Sequence, residues 1–206
     1  MGKKRTAKKQ TAKKRSVKKR SVKKRTTKKR TREGSAPRVL HEGRFLRFMD
    51  RGGWEYFERK GISGIVIVVA LTQRGELVLV EQYRPPLDAR VLDMPAGLAG
   101  DRPGEEDEDL AEAARRELLE EAGYAAGPLE LLTEGPASSG SSAEILTLLL
   151  ARDCRRVGPG GGDASEDIQV HVVPLEGIET WLEDRRRAGV LLDPKVYAGL
   201  YFLRTR

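Results

Sequence analysis

Cysteine, histidine and aromatic residues are scarce in this chain of 206 residues. Cys154 is the only cysteine, which excludes an internal disulfide and fits a reducing compartment. The two histidines, His41 and His171, are too few and too scattered for a zinc site or a Ser-His-Asp triad. No uninterrupted apolar run reaches membrane-spanning length. We therefore expect a cytoplasmic protein in which carboxylates carry any acid–base chemistry, with Cys154 a bystander and His171 structural.

Acidic residues are absent from residues 1–32, which hold 18 of the 39 Lys and Arg residues. Residues 33–206 carry 21 basic and 31 acidic residues, a net charge of −10, although the whole chain is +8. A five-residue unit built on a Lys-Lys pair repeats along the tail, and such a segment is expected to be disordered. We place the boundary after residue 34 and expect one domain in 35–206.

The basic tail has no aromatic residue, so it can neutralise phosphates but cannot stack on bases. We expect residues 1–32 to bind DNA or RNA without sequence preference, which would associate the protein with the nucleoid. A solubilising extension without a partner is the alternative.

A helix is predicted from Glu108 to Ala122, because this stretch has no Pro or Gly and Gly123 follows it. Leucines and alanines recur at helical spacing and predict a core-facing stripe. On another flank, three glutamates share one side: Glu117, Glu120 and Glu121. Like charges at such spacings destabilise a helix by about 0.2–0.5 kcal/mol per pair, whereas Mg²⁺ would reverse that sign. We expect Arg116 to reach Glu112 and Glu120; a solvated, charged helix is the alternative.

The run E-x7-R-E-L-L-E-E-A-G, from Glu108 to Gly123, resembles the signature of the Nudix hydrolases. The flanking segments are similar to the ADP-ribose pyrophosphatase branch of that family. They are V-L-V-E-Q-Y-R-P with Arg84, a strand ending in P-A-G at Ala96 and Gly97, and the loop 138–144 with Glu144. The resemblance spans residues 44–203 and implies an α/β/α sandwich with a mixed sheet.

Two positions depart from the family pattern. Arg102 stands where the signature glycine is expected, and the segment from Gly97 to Glu108 is lengthened, which leaves the role of Glu108 open. Ser139 stands where the ADP-ribose branch carries a proline, so the substrate is less defined than the reaction.

Two further segments carry structural predictions. Residues 45–49 and 54–59 alternate around Asp50–Gly53 and predict a hairpin whose aromatic residues pack on the core. The resemblance implies that this hairpin, within 35–60, exchanges across a homodimer and helps to bind the nucleotide. The glycine-rich run 158–162 lacks the Lys-Ser/Thr of a P-loop and is interpreted as a flexible hairpin loop.

The resemblance implies Mg²⁺-dependent hydrolysis of a nucleoside diphosphate linked to another moiety, with ADP-ribose as the first expectation and Mn²⁺ as a substitute cation. The expected metal ligands are Glu117, Glu120, Glu121 and the Ala96 carbonyl. Glu144 is the expected base, with Glu166 or Asp167 next in line. Arg116 and Glu120 complete the catalytic set, and Arg84 and Gly97 are expected to contact substrate. There are two alternatives: a nucleotide sensor without hydrolysis, and a nucleic-acid-binding protein with a secondary Nudix domain.

Overall fold

The structure, a computed structural model, describes residues 34–162 and 167–205. The strands are β1 Arg38–Glu42, β2 Leu46–Arg51, β3 Trp54–Arg59, β4 Gly64–Thr72, β5 Glu76–Arg84, β6 Ala89–Asp93, β7 Ala96–Ala99, β8 Tyr124–Ala125, β9 Leu129–Pro136, β10 Ile145–Arg156, β11 Ile168–Pro174 and β12 Leu191–Leu192. The helices are α1 Leu110–Ala122, α2 Ile178–Arg187 and α3 Pro194–Thr205, and a 3₁₀ turn spans Pro85–Leu87. Residues 1–33, which make up nearly all of the predicted tail, lie outside the described residues.

Strands β4 to β12 form one mixed sheet around the predicted hairpin β4–β5. The two strands pair at Ala70–Val78 and Leu71–Leu77, close to their turn. Farther from the turn β7 pairs with β4 while β6 pairs with β5. The sheet is thus forked, and the segment that joins β6 to β7 crosses the fork.

Apolar side chains on both faces of the sheet are buried beneath helices. Val66, Val68 and Ala70 of β4 pack with Leu118 and other residues of α1. On the opposite face the core includes residues of the sheet, α2 and α3: Ile67, Val69, Leu79, Ile178, Leu182, Val196 and Leu200. This arrangement confirms the predicted α/β/α sandwich with a mixed sheet.

Helix α1 begins and ends close to the predicted residues. Asp109 caps its first turn, accepting hydrogen bonds from the N–H groups of Ala111 at 2.8 Å and Glu112 at 3.4 Å. Gly123 ends it in the left-handed conformation with φ of 74°. Glu108 therefore precedes the helix.

The glycine-rich run 158–162 caps the other end of α1. Its amides at Gly161 and Gly162 donate to the carbonyls of Glu121 at 2.8 Å and Glu120 at 3.0 Å. These two amides therefore satisfy carbonyl groups of the last turn of α1. The prediction of a hairpin loop was wrong, because β10 pairs with β4, β9 and β8 whereas β11 pairs with β5.

The N-terminal strands form a separate three-stranded sheet, β1-β2-β3. The predicted hairpin is confirmed as β2–β3, but the prediction that its aromatic residues pack on the core was wrong. Phe45 is 62% exposed and Trp54 49%, and Phe48 and Phe57 are also exposed. Alternation is typical of a sheet with one buried face. Within strands β2 and β3, however, Met49 is the one buried side chain.

Cys154, expected to be a bystander, and His171, expected to be structural, both have buried contacts. The Sγ atom of Cys154 donates to the Ala151 carbonyl at 3.3 Å, and burial raises the pKa of this thiol. His171 Nε2 lies 3.1 Å from an oxygen of the buried Glu81, and its ring stacks edge-on against Trp181. Across residues 34–162 and 167–205, no helix is long and apolar enough to span a membrane.

Candidate active site

A cleft of about 1070 Å³ opens at the fork of the sheet. One wall is the polar flank of α1, and the floor is the crossing from β6 to β7. Most residues singled out in the sequence line this cleft: Arg84, Ala96, Gly97, Arg116, Glu117, Glu120, Glu121 and Glu144. Glu108 and Gly123 lie at the two ends of α1 and do not line it.

Arg116 is the centre of a hydrogen-bond network beneath the glutamates. Its Nε and Nη2 atoms each donate to Glu108 at 2.9 Å, and Nη2 also donates to the Leu98 carbonyl at 2.8 Å. Its Nη1 atom donates to Glu117 at 2.7 Å and to Glu120 at 3.4 Å. The predicted contact with Glu112 is not formed, because Glu112 turns to Arg115 at 3.6 Å.

Glu108, whose role the lengthened loop left open, therefore anchors this arginine. Its second oxygen also accepts the Gly100 N–H at 3.1 Å, which ties the loop to the network. The hydrogen bonds from Arg116 hold the pKa of Glu108 below its ordinary value. Arg116 is in turn stabilised in its charged form by Glu108, which raises its pKa.

Glu117 lies against the backbone of Gly97. A Cβ atom on Gly97 would stand 1.9 Å from the carboxyl carbon of Glu117, so no other residue fits there without moving the glutamate. Burial raises the pKa of Glu117; the Arg116 guanidinium opposes that shift, and the charge of Glu120 adds to it. A positive charge in the cleft would therefore favour the ionised form of Glu117.

Glu121 and Glu120 have different surroundings. Glu121 is buried and accepts the Ala96 N–H at 2.9 Å, which fixes the crossing of the fork to α1. Glu120 is 41% exposed and pairs with Arg102 of the lengthened loop. Arg102 was identified in the sequence only as a departure from the signature, and its ion pair with Glu120 was missed.

The donor atoms of the cleft are carboxylate and carbonyl oxygens, which are the ligands that Mg²⁺ and Mn²⁺ take in proteins. Over the described ranges, no three His, Cys, Asp or Glu side chains already converge as a metal-binding group. The arginine contacts of Glu117 and Glu120 account for this, since each carboxylate is turned to a guanidinium. The oxygen ligands and their position in one cleft thus fit a hard divalent cation. To bind it, Glu117 and Glu120 turn from their arginine partners towards the cation.

Glu144 faces the cleft from the loop before β10. Arg59 of β3 donates to it through Nε at 3.1 Å, although 85 residues separate the two in sequence. The same strand holds the loop, because the Phe57 N–H donates to the Ser141 carbonyl at 3.0 Å and the Ala143 N–H donates to Phe57 at 3.1 Å. The N-terminal sheet therefore positions Glu144, a contribution that sequence reasoning missed.

The opposite end of the cleft holds a second ion cluster that was not predicted. Lys195 of α3 lies 3.0 Å from the buried Asp93 and also pairs with Asp193. Burial raises the pKa of Asp93, and the charge of Lys195 opposes that shift. The sequence signal was Lys195 itself, one of only two lysines outside the tail.

Asp167, one of the two carboxylates next in line as the base, is 83% exposed, pairs with Arg90 at 2.9 Å and does not line the cleft. Glu166, the other, lies outside the described residues.

Comparison with known proteins identifies the family. The NUDIX domain model matches residues 63–192. A methanol dehydrogenase activator of Bacillus methanolicus is 30% identical over 141 residues, which are 68% of this chain and 71% of that protein. The ADP-ribose pyrophosphatase of Bacillus subtilis (strain 168) is 32% identical over 144 residues, or 69% and 73% of the two chains.

The solved structure described as an ADP compounds hydrolase shares the fold with a TM-score of 0.61 at 21% identity, covering 82% of this chain and 90% of that one. The domain match begins one residue before β4 and ends with β12. It therefore includes all of α1, which forms one wall of the cleft. The chain therefore belongs to the NUDIX family and is a hydrolase of diphosphate (acid anhydride) bonds that resembles the ADP-ribose pyrophosphatases.

Proposed function

We propose that the protein hydrolyses ADP-ribose to AMP and ribose 5-phosphate in a Mg²⁺-dependent reaction, in which Mn²⁺ can substitute. The observation that carries the proposal is the meeting of Glu117, Glu120 and Glu121 with Glu144 in one cleft. The relatedness to an ADP-ribose pyrophosphatase supports the substrate class.

The residues of the cleft have distinct roles in this proposal. Glu117, Glu120, Glu121 and the Ala96 carbonyl hold the cation, which when bound neutralises the diphosphate oxygens and polarises the attacking water. Arg116 keeps Glu117 and Glu120 in position through the hydrogen bonds of its Nη1 atom.

Glu144 takes the proton of the water that attacks phosphorus, as the new P–O bond forms and the P–O–P bridge breaks. Arg84 and the backbone at Gly97 contact the substrate, since both line the cleft. Positioning and charge compensation supply most of the rate.

A substrate panel tests the assignment. Release of AMP or other nucleotide is measured with Mg²⁺ for ADP-ribose, ADP-glucose, GDP-mannose, NADH and a dinucleoside polyphosphate. We expect the highest kcat/KM with ADP-ribose. A higher value for another member would replace the substrate while leaving the reaction class in place.

A homodimer is part of the proposal. Phe48 of β2 and Phe57 of β3 lie opposite each other and are exposed on one face of the N-terminal sheet, an apolar surface that a second copy of this chain would cover. Sedimentation of Phe48→Ser with Phe57→Ser tests it. The proposal is supported if the wild-type protein sediments as a dimer and the double variant as a monomer. A monomeric wild-type protein contradicts it.

The basic tail, bounded at residue 34, is proposed to tether the domain to nucleic acid near the nucleoid. Its 18 positive charges in 32 residues, without an acid, support binding to phosphates, and the acidic domain would stay clear of the polyanion. Gel shifts compare the full chain with a chain starting at Glu33 at about 50 and 200 mM salt. DNA binding that is lost on truncation and weakened by salt supports the tether, whereas equal binding by both contradicts it.

A further inference from the structure

Arg102 is the only cation in an acidic segment beside the cleft. The segment between β7 and α1 contains Asp101, Glu105, Glu106, Asp107, Glu108 and Asp109. Arg102 nevertheless turns to Glu120 of α1 rather than to the acids beside it. It lines both the cleft and the neighbouring acidic cavity, so its guanidinium stands at the boundary between them.

The two arginines of the cluster are held very differently. Arg116 is 14% exposed and committed to Glu108, Glu117 and the Leu98 carbonyl. The side chain of Arg102 is 43% exposed, and Glu120 is its one hydrogen-bond partner among the described residues. An exposed ion pair of this kind is weak and readily exchanged.

Of the two arginines that pair with Glu120, Arg102 makes the shorter contact. The alternative contact, Arg116 Nη1 at 3.4 Å, is the longest that Arg116 makes to a glutamate of the cluster. A divalent cation that takes Glu120 Oε1 as a ligand therefore competes with the Arg102 guanidinium for that oxygen. Gly100 and Gly104 flank Arg102 with φ of 74° and 85°, so the backbone on either side turns sharply and leaves this short segment outside the sheet and helix.

We propose that Arg102 is a built-in counter-cation: it neutralises Glu120 before the divalent cation binds, competes with that cation for Glu120, and binds the diphosphate of the substrate once displaced. The inference rests on the proposed function. A guanidinium suits the second role, because its planar donors match two phosphate oxygens. The two roles have opposite signs: loss of Arg102 tightens cation binding and weakens substrate binding.

The test measures Mn²⁺ binding to the full chain by electron paramagnetic resonance without substrate. Arg102→Ala is expected to bind Mn²⁺ roughly two- to fivefold more tightly than wild type, the scale of an exposed ion pair. Arg102→Lys keeps the charge and is expected to stay close to wild type. Unchanged or weaker Mn²⁺ binding by Arg102→Ala would overturn the proposal.

Two matched variants separate the contact from the general field. Arg84→Ala removes a positive charge that lines the same cleft but is not paired with Glu120. Arg74→Ala removes a positive charge that is paired with Glu76 outside the cleft. Both are expected to change Mn²⁺ affinity less than Arg102→Ala does. An equal gain in Arg84→Ala would assign the effect to net charge and contradict a specific role for Arg102.

The second arm measures binding of a non-hydrolysable α,β-methylene analogue of ADP-ribose at saturating Mn²⁺. Arg102→Ala is expected to bind it about tenfold more weakly, the loss of one charged phosphate contact. Unchanged analogue binding would overturn the second role. Absence of Mn²⁺ binding in wild type would overturn the proposed function as well, whereas wild-type binding that Arg102→Ala leaves unaltered would overturn this inference alone.

Discussion

Glu108 accepts two parallel hydrogen bonds from Arg116, from Nε to Oε1 and from Nη2 to Oε2, each 2.9 Å long. The pair joins the loop before α1 to the helix face that carries the site. Both side chains are largely buried, at 10% and 14% exposure. Their charge-assisted, two-pronged geometry makes this the strongest polar link in the cluster.

Glu108→Gln is predicted to lower the free energy of unfolding by about 1.5–3 kcal/mol near neutral pH, the scale of a hydrogen bond to a charged group. The pKa of Glu108 lies below its ordinary value of 4.5 because Arg116 binds the ionised form. The stabilisation is therefore complete above that value and lost as pH falls through the lowered pKa. Urea unfolding across this range measures the difference between the two proteins. A difference that persists unchanged in acid would contradict the assignment.

Glu120→Gln and Glu121→Gln are each predicted to lower turnover at least about 10²-fold, equivalent to about 2.7 kcal/mol of barrier. Each removes a charge that we propose holds the cation. Glu112→Gln is the matched control, because Glu112 lies on the same helix but pairs with Arg115 outside the cleft. Near-wild-type turnover in both site variants would favour a solvated, charged helix instead.

Glu144→Gln is predicted to reduce kcat strongly and to leave substrate affinity nearly unchanged. A base that acts on the water contributes in the transition state rather than in ground-state binding. Single-turnover kinetics with separate measurement of substrate binding distinguishes the two effects. An unchanged rate would transfer the role to another carboxylate of the chain.

Gly97→Ala is predicted to lower kcat/KM by at least about tenfold, because the added methyl group occupies the place of the Glu117 carboxylate. The matched control is Gly135→Ala in β9, where a Cβ atom meets nothing within 4 Å. Equal activity of the two variants would show that Glu117 has no defined place beside Gly97.

The parts of the site encoded by local spacing could be predicted from the sequence. Glu117, Glu120 and Glu121 share a flank of α1 because helical geometry fixes their relation, and Gly123 ends the helix as expected. The buried hairpin β4–β5 was equally clear, because its strands are β-branched and separated by a short turn.

Contacts between distant segments could not be predicted. Arg59 reaches Glu144 only because β3 packs beside the loop before β10, and Lys195 reaches Asp93 only because α3 begins beside β6. The aromatic residues of the N-terminal sheet were assigned to the core wrongly, since alternation shows that one face needs cover but does not show what covers it.

The most direct test of a cation-dependent diphosphate hydrolase is product analysis after incubation of the full chain with ADP-ribose. We predict equimolar AMP and ribose 5-phosphate with Mg²⁺, restoration by Mn²⁺ after chelation, and neither product with a chelator alone. Undiminished hydrolysis with the chelator, or no cleavage of ADP-ribose by folded protein saturated with Mg²⁺, would contradict it.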